Sequence, residues 1–135
     1  MSQPTLFPEE SAYFAALDRS LTFNLFISAI PSHDEQNDPL PDQEQWAESA
    51  LELFADLYGG ATAFKSFAGI FKSETGTYLR DRPILIESYV PDESARDVSK
   101  ATELFAFARR MASEASQEAV LVVINQAMFL IKRGA

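Results

Sequence analysis

The chain predicts an α+β sandwich, with two amphipathic helices packed on one face of an antiparallel sheet of four or five strands. Three observations carry that prediction. Two stretches repeat their apolar residues every three or four positions, as helices with one buried face do. Five others are rich in β-branched and aromatic side chains and are bounded by Pro, Gly or Asn. The length of 135 residues, 47% of them hydrophobic, suits one domain with one core, because two half-size domains would each bury too little surface.

The elements follow in order. Residues 1–20 form an N-terminal extension in which Pro8-Glu9-Glu10-Ser11, ahead of Tyr13, Phe14 and Leu17, suggests a short helix with Pro and acids in its first turn. From Leu21 to Ile30 the odd positions Leu21, Phe23, Leu25, Ile27 and Ala29 are apolar, while Thr22, Asn24 and Ser28 interrupt the even ones. That is the period of a half-buried strand. Residues 31–44, PSHDEQNDPLPDQE, are Pro-rich and acidic without periodicity and read as a long solvated loop. Trp46, Ala47, Ala50, Leu51, Phe54, Leu57 and Tyr58 then recur at helical spacing, with Asp42 as the expected cap and Gly59-Gly60 as the stop.

Ala61 to Lys72 is Phe-rich but loses alternation at Lys65 and Ser66, as a bulged strand would. Ser73 to Arg82, containing Gly76, is expected to be the long tip of a hairpin whose second strand runs from Ile84 to Val90. Pro91-Asp92-Glu93-Ser94 starts a second helix, with Val98, Ala101, Leu104, Phe105, Ala108, Met111 and Ala112 as its apolar stripe. Ala119–Ile124 and Ala127–Ile131 are aliphatic strands, joined by Asn125-Gln126 as a two-residue turn. The order is βαββαβ plus an extra C-terminal strand, the split βαβ pattern of a ferredoxin-like sandwich.

The charge balance narrows the partners. Eleven Lys and Arg against 20 Asp and Glu give a net charge of −9, which repels nucleic-acid phosphates and anionic lipid alike. Without cysteine there is no disulfide, thiolate nucleophile, iron–sulfur cluster or Cys-ligated zinc. Met1 to Glu10 lacks a basic and apolar leader pattern, and no apolar run approaches the ~20 residues of a membrane helix, so the expectation is a cytoplasmic protein. No nucleic acid, membrane or cofactor is expected.

Between residues 53 and 131, Gly60-Ala61-Thr62, Gly76, Glu87-Ser88 within ILIESYV, and Gln117-Glu118-Ala119-Val120 form a spaced pattern. In it the chain resembles a family of small bacterial proteins of unassigned activity with a ferredoxin-like α+β core. Gly76-Thr77-Tyr78 stands where that family carries Gly-Gln-Trp. The resemblance implies a fold and no reaction.

Glu87 is the residue whose position asks for an explanation. It lies among Ile84, Leu85, Ile86 and Val90 on a central strand, where a carboxylate must be solvated, paired or raised in pKa. Alternation puts it on one face with Leu85 and Tyr89. It reads either as a general acid or base beside Tyr89 or Tyr78, or as an ion-pair partner of Lys65 across the hairpin. Tyr78-Leu79-Arg80-Asp81-Arg82 offers Arg80 and Arg82 as an anion clamp, or else a solvated turn. His33 with Asp34, Glu35 and Asp38 offers metal-ligand types without the spacing of a metal loop, and no metal is expected. Phe64, Phe67, Phe71, Phe105, Phe107 and Phe129 read as core, whereas Phe26 and Tyr89 suit a sheet surface covered by a second subunit.

Three functions compete on this sequence. One is a homodimer of unassigned activity pairing exposed sheet faces or edges. The second is a small enzyme or ligand-binding protein built on the open sheet face from Glu87, Tyr89, Tyr78, Arg80, Arg82 and Lys65, its small-molecule ligand unspecified. The third is an acidic adaptor whose residues 31–44 hold a basic partner.

Overall fold

A computed structural model describes residues 10–18, 22–72 and 74–134. Expectations for Pro4–Glu9, Leu21 and Ser73 lie outside the described residues. The elements are α1 (Glu10–Ala16), β1 (Phe23–Ile30), α2 (Gln43–Tyr58), β2 (Thr62–Lys65), β3 (Gly69–Lys72), β4 (Tyr78–Asp81), β5 (Ile84–Pro91), α3 (Asp92–Ala95), α4 (Val98–Glu114), β6 (Ala119–Ile124) and β7 (Ala127–Lys132). Five strands form one sheet in the order β2-β5-β1-β6-β7, every neighbouring pair antiparallel. β3 and β4 form a separate two-stranded ribbon. The result is an α+β structure with an antiparallel sheet.

The helices end where their sequences direct. Gly59 takes the left-handed conformation, φ 93°, and its N–H donates to the Ala55 carbonyl, closing α2. Asp42 sits at the N-cap of α2, yet its side chain makes no cap hydrogen bond. The expected second helix is broken in two. α3 stops after one turn, and the Asp97 carboxylate then accepts the Ser99 N–H and starts α4.

The core lies between the helices and one face of the sheet. Phe26 packs edge-on against Tyr13 (6.3 Å) and Tyr58 (5.3 Å), and Phe105 bridges Tyr13 (5.9 Å) and Phe129 (5.8 Å). The Tyr13 hydroxyl donates to the Ala95 carbonyl at 2.5 Å, clamping α1 onto α3.

The period of β1 is as the sequence predicts, but the face assignment is inverted. The buried positions are the even ones, Asn24, Phe26, Ser28 and Ile30, while Leu25, Ile27 and Ala29 are half-buried and Phe23 is exposed on the other side. Phe26 is therefore core and not subunit surface. What holds the Asn24 Oδ1 beneath the helices is a network around Asn125. Its side-chain N–H groups donate to the Ala16 carbonyl and Asn24 Oδ1, its Oδ1 accepts the Leu25 N–H, and Asn24 Oδ1 also takes the Asp18 N–H. Asn125 does this from the turn joining β6 and β7, at φ 55°.

The stretch expected as one bulged strand, residues 61–72, is two strands in two sheets. The Ser66 N–H and hydroxyl both donate to the Pro83 carbonyl (3.2 and 2.6 Å), turning the chain away from the main sheet before β3 begins. Gly69 permits the ribbon to close, since a Cβ there would stand 2.5 Å from the Asp81 carbonyl oxygen.

Candidate functional site

The side of the sheet away from the helices carries Phe23, Leu25, Ile27 and Ala29 of β1, Leu85, Glu87 and Tyr89 of β5, Leu121 and Val123 of β6, and Met128 and Leu130 of β7. Phe23, Tyr89, Met128 and Leu130 are each at least half exposed. Among the described residues Glu87 is the one carboxylate on this apolar face.

At one corner the face is concave. Thr62, the first residue of β2, pairs with Glu87, so β5 runs on from Ser88 to Pro91 with no strand on that side. The chain approaches this edge through Gly59-Gly60-Ala61, and the Ser88 hydroxyl donates to the Gly60 carbonyl at 2.7 Å. A cleft of about 360 Å³ results, lined by Phe23, Tyr58, Gly60, Thr62, Glu87 and Tyr89 among others. Among the described residues the Glu87 carboxylate meets no cation and accepts no hydrogen bond. Tyr58 forms part of the wall. Its hydroxyl is buried without a hydrogen-bond partner, and burial above all holds the phenol pKa well above the ordinary tyrosine value.

The residues proposed from the sequence are brought together only in part. Glu87 and Tyr89 share the cleft, as alternation along β5 implies. Lys65 does not pair with Glu87. Its register partner is Ile84, and its ammonium instead bonds Glu44 on α2 at 2.5 Å, because Lys65 projects to the helix side of the sheet. Tyr78 and Arg80 lie on β4 of the separate ribbon and Arg82 follows it, and none of the three lines the cleft. Residues missed from the sequence are Phe23, Tyr58 and Thr62. The Gly59-Gly60 stop at the end of α2 was the available signal, since it fixes where β2 begins.

The His33 region holds a different arrangement from a metal site. Among the described residues no group of three His, Asp or Glu could hold a metal ion. The Ser32 hydroxyl donates to Asp81, accepts the Arg82 N–H at 2.9 Å and lies 2.7 Å from His33 Nδ1. Here the hydroxyl sits between acid and imidazole, whereas a nucleophilic relay places the imidazole in the middle. The cluster is a latch tying residues 32–33 to the foot of the ribbon. The acidic segment is also held at its far side. Gln117 Nε2 donates to the His33 carbonyl at 2.7 Å, and Arg133 pairs with Glu35 at 2.8 Å, which holds the Glu35 carboxyl below its usual range.

No helix among the described residues is long and apolar enough to cross a membrane. No family model matches the chain, and no curated protein matches it in sequence. Among solved structures the chain is similar to a phage SAM lyase in complex with S-methyl-5'-thioadenosine, with a TM-score of 0.59 and 9% identity, over 82% of this chain and 90% of that one. It is likewise similar to a phage SAM lyase in the apo state, with a TM-score of 0.56 and 14% identity, over 88% of this chain and 97% of that one. At these identities the likeness concerns the fold.

Proposed function

We propose that this chain binds a small sulfonium or thioether nucleoside of the S-adenosylmethionine class in the Glu87 cleft, and acts on it. The observation that carries the reading is Glu87, a half-buried carboxylate that meets no cation among the described residues, with the exposed ring of Tyr89 next along its face and that of Phe23 beyond it in a concave corner. A carboxylate left without a partner in apolar surroundings favours a cationic ligand, and aromatic faces suit both a sulfonium and a purine. The fold likeness to phage SAM lyases, one holding S-methyl-5'-thioadenosine, supports the choice of ligand class. A volume of about 360 Å³ falls within the usual range for small-molecule sites.

The test is calorimetric titration with S-adenosylmethionine and with S-methyl-5'-thioadenosine. A sulfonium about 5 Å from a half-screened carboxylate gains about 1–2 kcal/mol. Glu87→Gln should therefore weaken S-adenosylmethionine by roughly 5- to 30-fold while leaving the neutral thioether within about twofold. Release of S-methyl-5'-thioadenosine from the sulfonium, followed by chromatography, reads turnover. Absence of binding at millimolar ligand, or equal loss for both ligands, overturns the reading.

A second reading concerns assembly, and the exposed apolar half of the sheet favours it: a further copy of this chain covers Leu121, Met128 and Leu130. The core itself we read as ferredoxin-like and shared with the small bacterial proteins the sequence resembles. The order β2-β5-β1-β6, with β7 added at the edge, supports this.

A further inference from the structure

The edge of β5 opens into the Glu87 cleft with a hydrogen-bonding pair that the fold leaves unused. The Leu25 N–H donates to Asn125 Oδ1 at 2.9 Å, and the Leu25 carbonyl accepts the Asn125 N–H at 2.8 Å, so both main-chain groups of Leu25 face β6. Tyr89 is the β5 partner of Leu25. Opposed residues of an antiparallel pair either exchange both bonds or turn both groups outward, so the Tyr89 N–H and carbonyl face away from β1, toward the β2 side. There β2 does not reach them, because its first residue, Thr62, pairs with Glu87.

The next rung of that ladder would set Gly60 opposite Tyr89. Instead the Ser88 hydroxyl donates to the Gly60 carbonyl at 2.7 Å, taking the acceptor that the Tyr89 N–H would use, and among the described residues no main-chain bond joins Gly60 and Tyr89. Ser88 is buried on the helix side of the sheet, at 2% exposure, so this bond is shielded from competing water. Gly60, Ser88 and Tyr89 all line the cleft. The gap is one rung wide. Ser88 and Val90 turn their main-chain groups to β1, and Pro91, the next residue to face outward, has no N–H. An incoming strand would gain two bonds only, whereas the edge of a nucleobase needs no more than two.

We propose that the Tyr89 main chain reads the amino edge of an adenine base, its carbonyl accepting from the amino group and its N–H donating to the adjacent ring nitrogen, with Ser88 the positioning residue that keeps this edge open. The inference rests on the ligand reading above and names the part of the site that selects the base. Adenine carries an amino donor beside a ring-nitrogen acceptor, the complement of one strand residue. A 6-oxo purine puts an oxygen where the amino group stands, facing the lone pairs of the Tyr89 carbonyl. Glu87 lies two residues along the same strand, about 7 Å away, so a nucleoside with its base at Tyr89 has the reach to bring its 5' sulfur to the carboxylate.

Calorimetric titration of the full chain with S-methyl-5'-thioadenosine and with its 6-oxo analogue, S-methyl-5'-thioinosine, is the test. Loss of two hydrogen bonds should make the 6-oxo analogue bind roughly 10- to 100-fold more weakly. Tyr89→Ala removes the ring and keeps the main chain, so both ligands should weaken while their ratio holds within about threefold. Ser88→Ala frees the Gly60 carbonyl for the Tyr89 N–H, and the ratio should fall below about threefold, whereas Ser88→Thr retains the hydroxyl and should retain the ratio. A Ser88→Ala protein that loses both ligands together, its ratio unchanged, removes the positioning role of Ser88. Circular dichroism verifies folding, and the wild-type and Tyr89→Ala comparisons decide the main-chain reading even where a Ser88 variant does not fold. Equal binding of the two ligands by the wild type, or a ratio lost with the Tyr89 ring, overturns that reading and leaves the ligand class in place. Binding of neither ligand at millimolar concentration overturns the ligand class itself, and this inference with it.

Discussion

Replacing Tyr13 by Phe should change stability in two measurable ways. At neutral pH the variant keeps the ring contacts with Phe26 and Phe105 but strips the donor from the Ala95 carbonyl, on a residue that is fully buried. Leaving such an acceptor unpaired costs about 1–3 kcal/mol. The second effect is alkaline. Burial raises the pKa of Tyr13 above the ordinary value, as it does for Tyr58, so both phenols stay protonated in the folded chain where the unfolded chain has released its protons. The stability this confers is complete below the ordinary tyrosine pKa of ~10 and is lost as pH rises beyond it, at about 1.4 kcal/mol per pH unit for each group. The wild-type protein should therefore lose about 2.7 kcal/mol per unit above pH ~10, and Tyr13→Phe about half that. Urea unfolding at steps from pH 8 to 12, followed by Trp46 fluorescence and circular dichroism, measures both. An alkaline slope identical in the two proteins would refute the assignment of Tyr13 as a buried, protonated latch.

Two further substitutions probe the inverted face of β1. Ser28 is fully buried and its hydroxyl has no hydrogen-bond partner, so Ser28→Ala should raise the urea-derived stability by about 1 kcal/mol; a loss of that size would mean the hydroxyl is satisfied. Asn125→Ala removes side-chain bonds to Ala16, Asn24 and Leu25 together and places Ala at φ 55°, so it should cost about 2–4 kcal/mol, read as a lower denaturant midpoint with unchanged slope.

Periodicity made most elements legible because it reports on a single chain segment. The helices, the β6–β7 turn at Asn125-Gln126 and the alternation of β5 all follow from local pattern and turn chemistry. What local pattern does not contain is the direction in which an alternating strand faces. Phe23, Leu25, Ile27 and Ala29 look like the core face of β1 because the opposite positions hold Asn24 and Ser28. The decision is made 100 residues away. Asn125 pairs the Asn24 Oδ1, and Phe26 and Ile30 supply enough buried surface to hold that face beneath the helices. The same reason hid the break at Ser66, whose bonds run to Pro83 and redirect the chain into the ribbon.

That inversion also alters what Glu87 means. Were the even positions of β1 on the side of Glu87, Asn24 and Ser28 would stand near its charge. With Leu25 and Ile27 on its own side and Ile27 its direct cross-strand partner, the carboxylate stands in a surface that offers it little compensation. Lys65, the cation expected opposite Glu87 across the hairpin, is drawn to Glu44 by the side-chain direction that the β2 register imposes. The charge is thus left for something that arrives from outside the fold. A cationic ligand in the Gly59-Gly60 corner satisfies it, whereas an anion there would meet repulsion from Glu87 and from a protein of net charge −9. The sign of the ligand is accordingly the strongest constraint the site imposes, and comparing a sulfonium with its neutral thioether addresses that constraint directly.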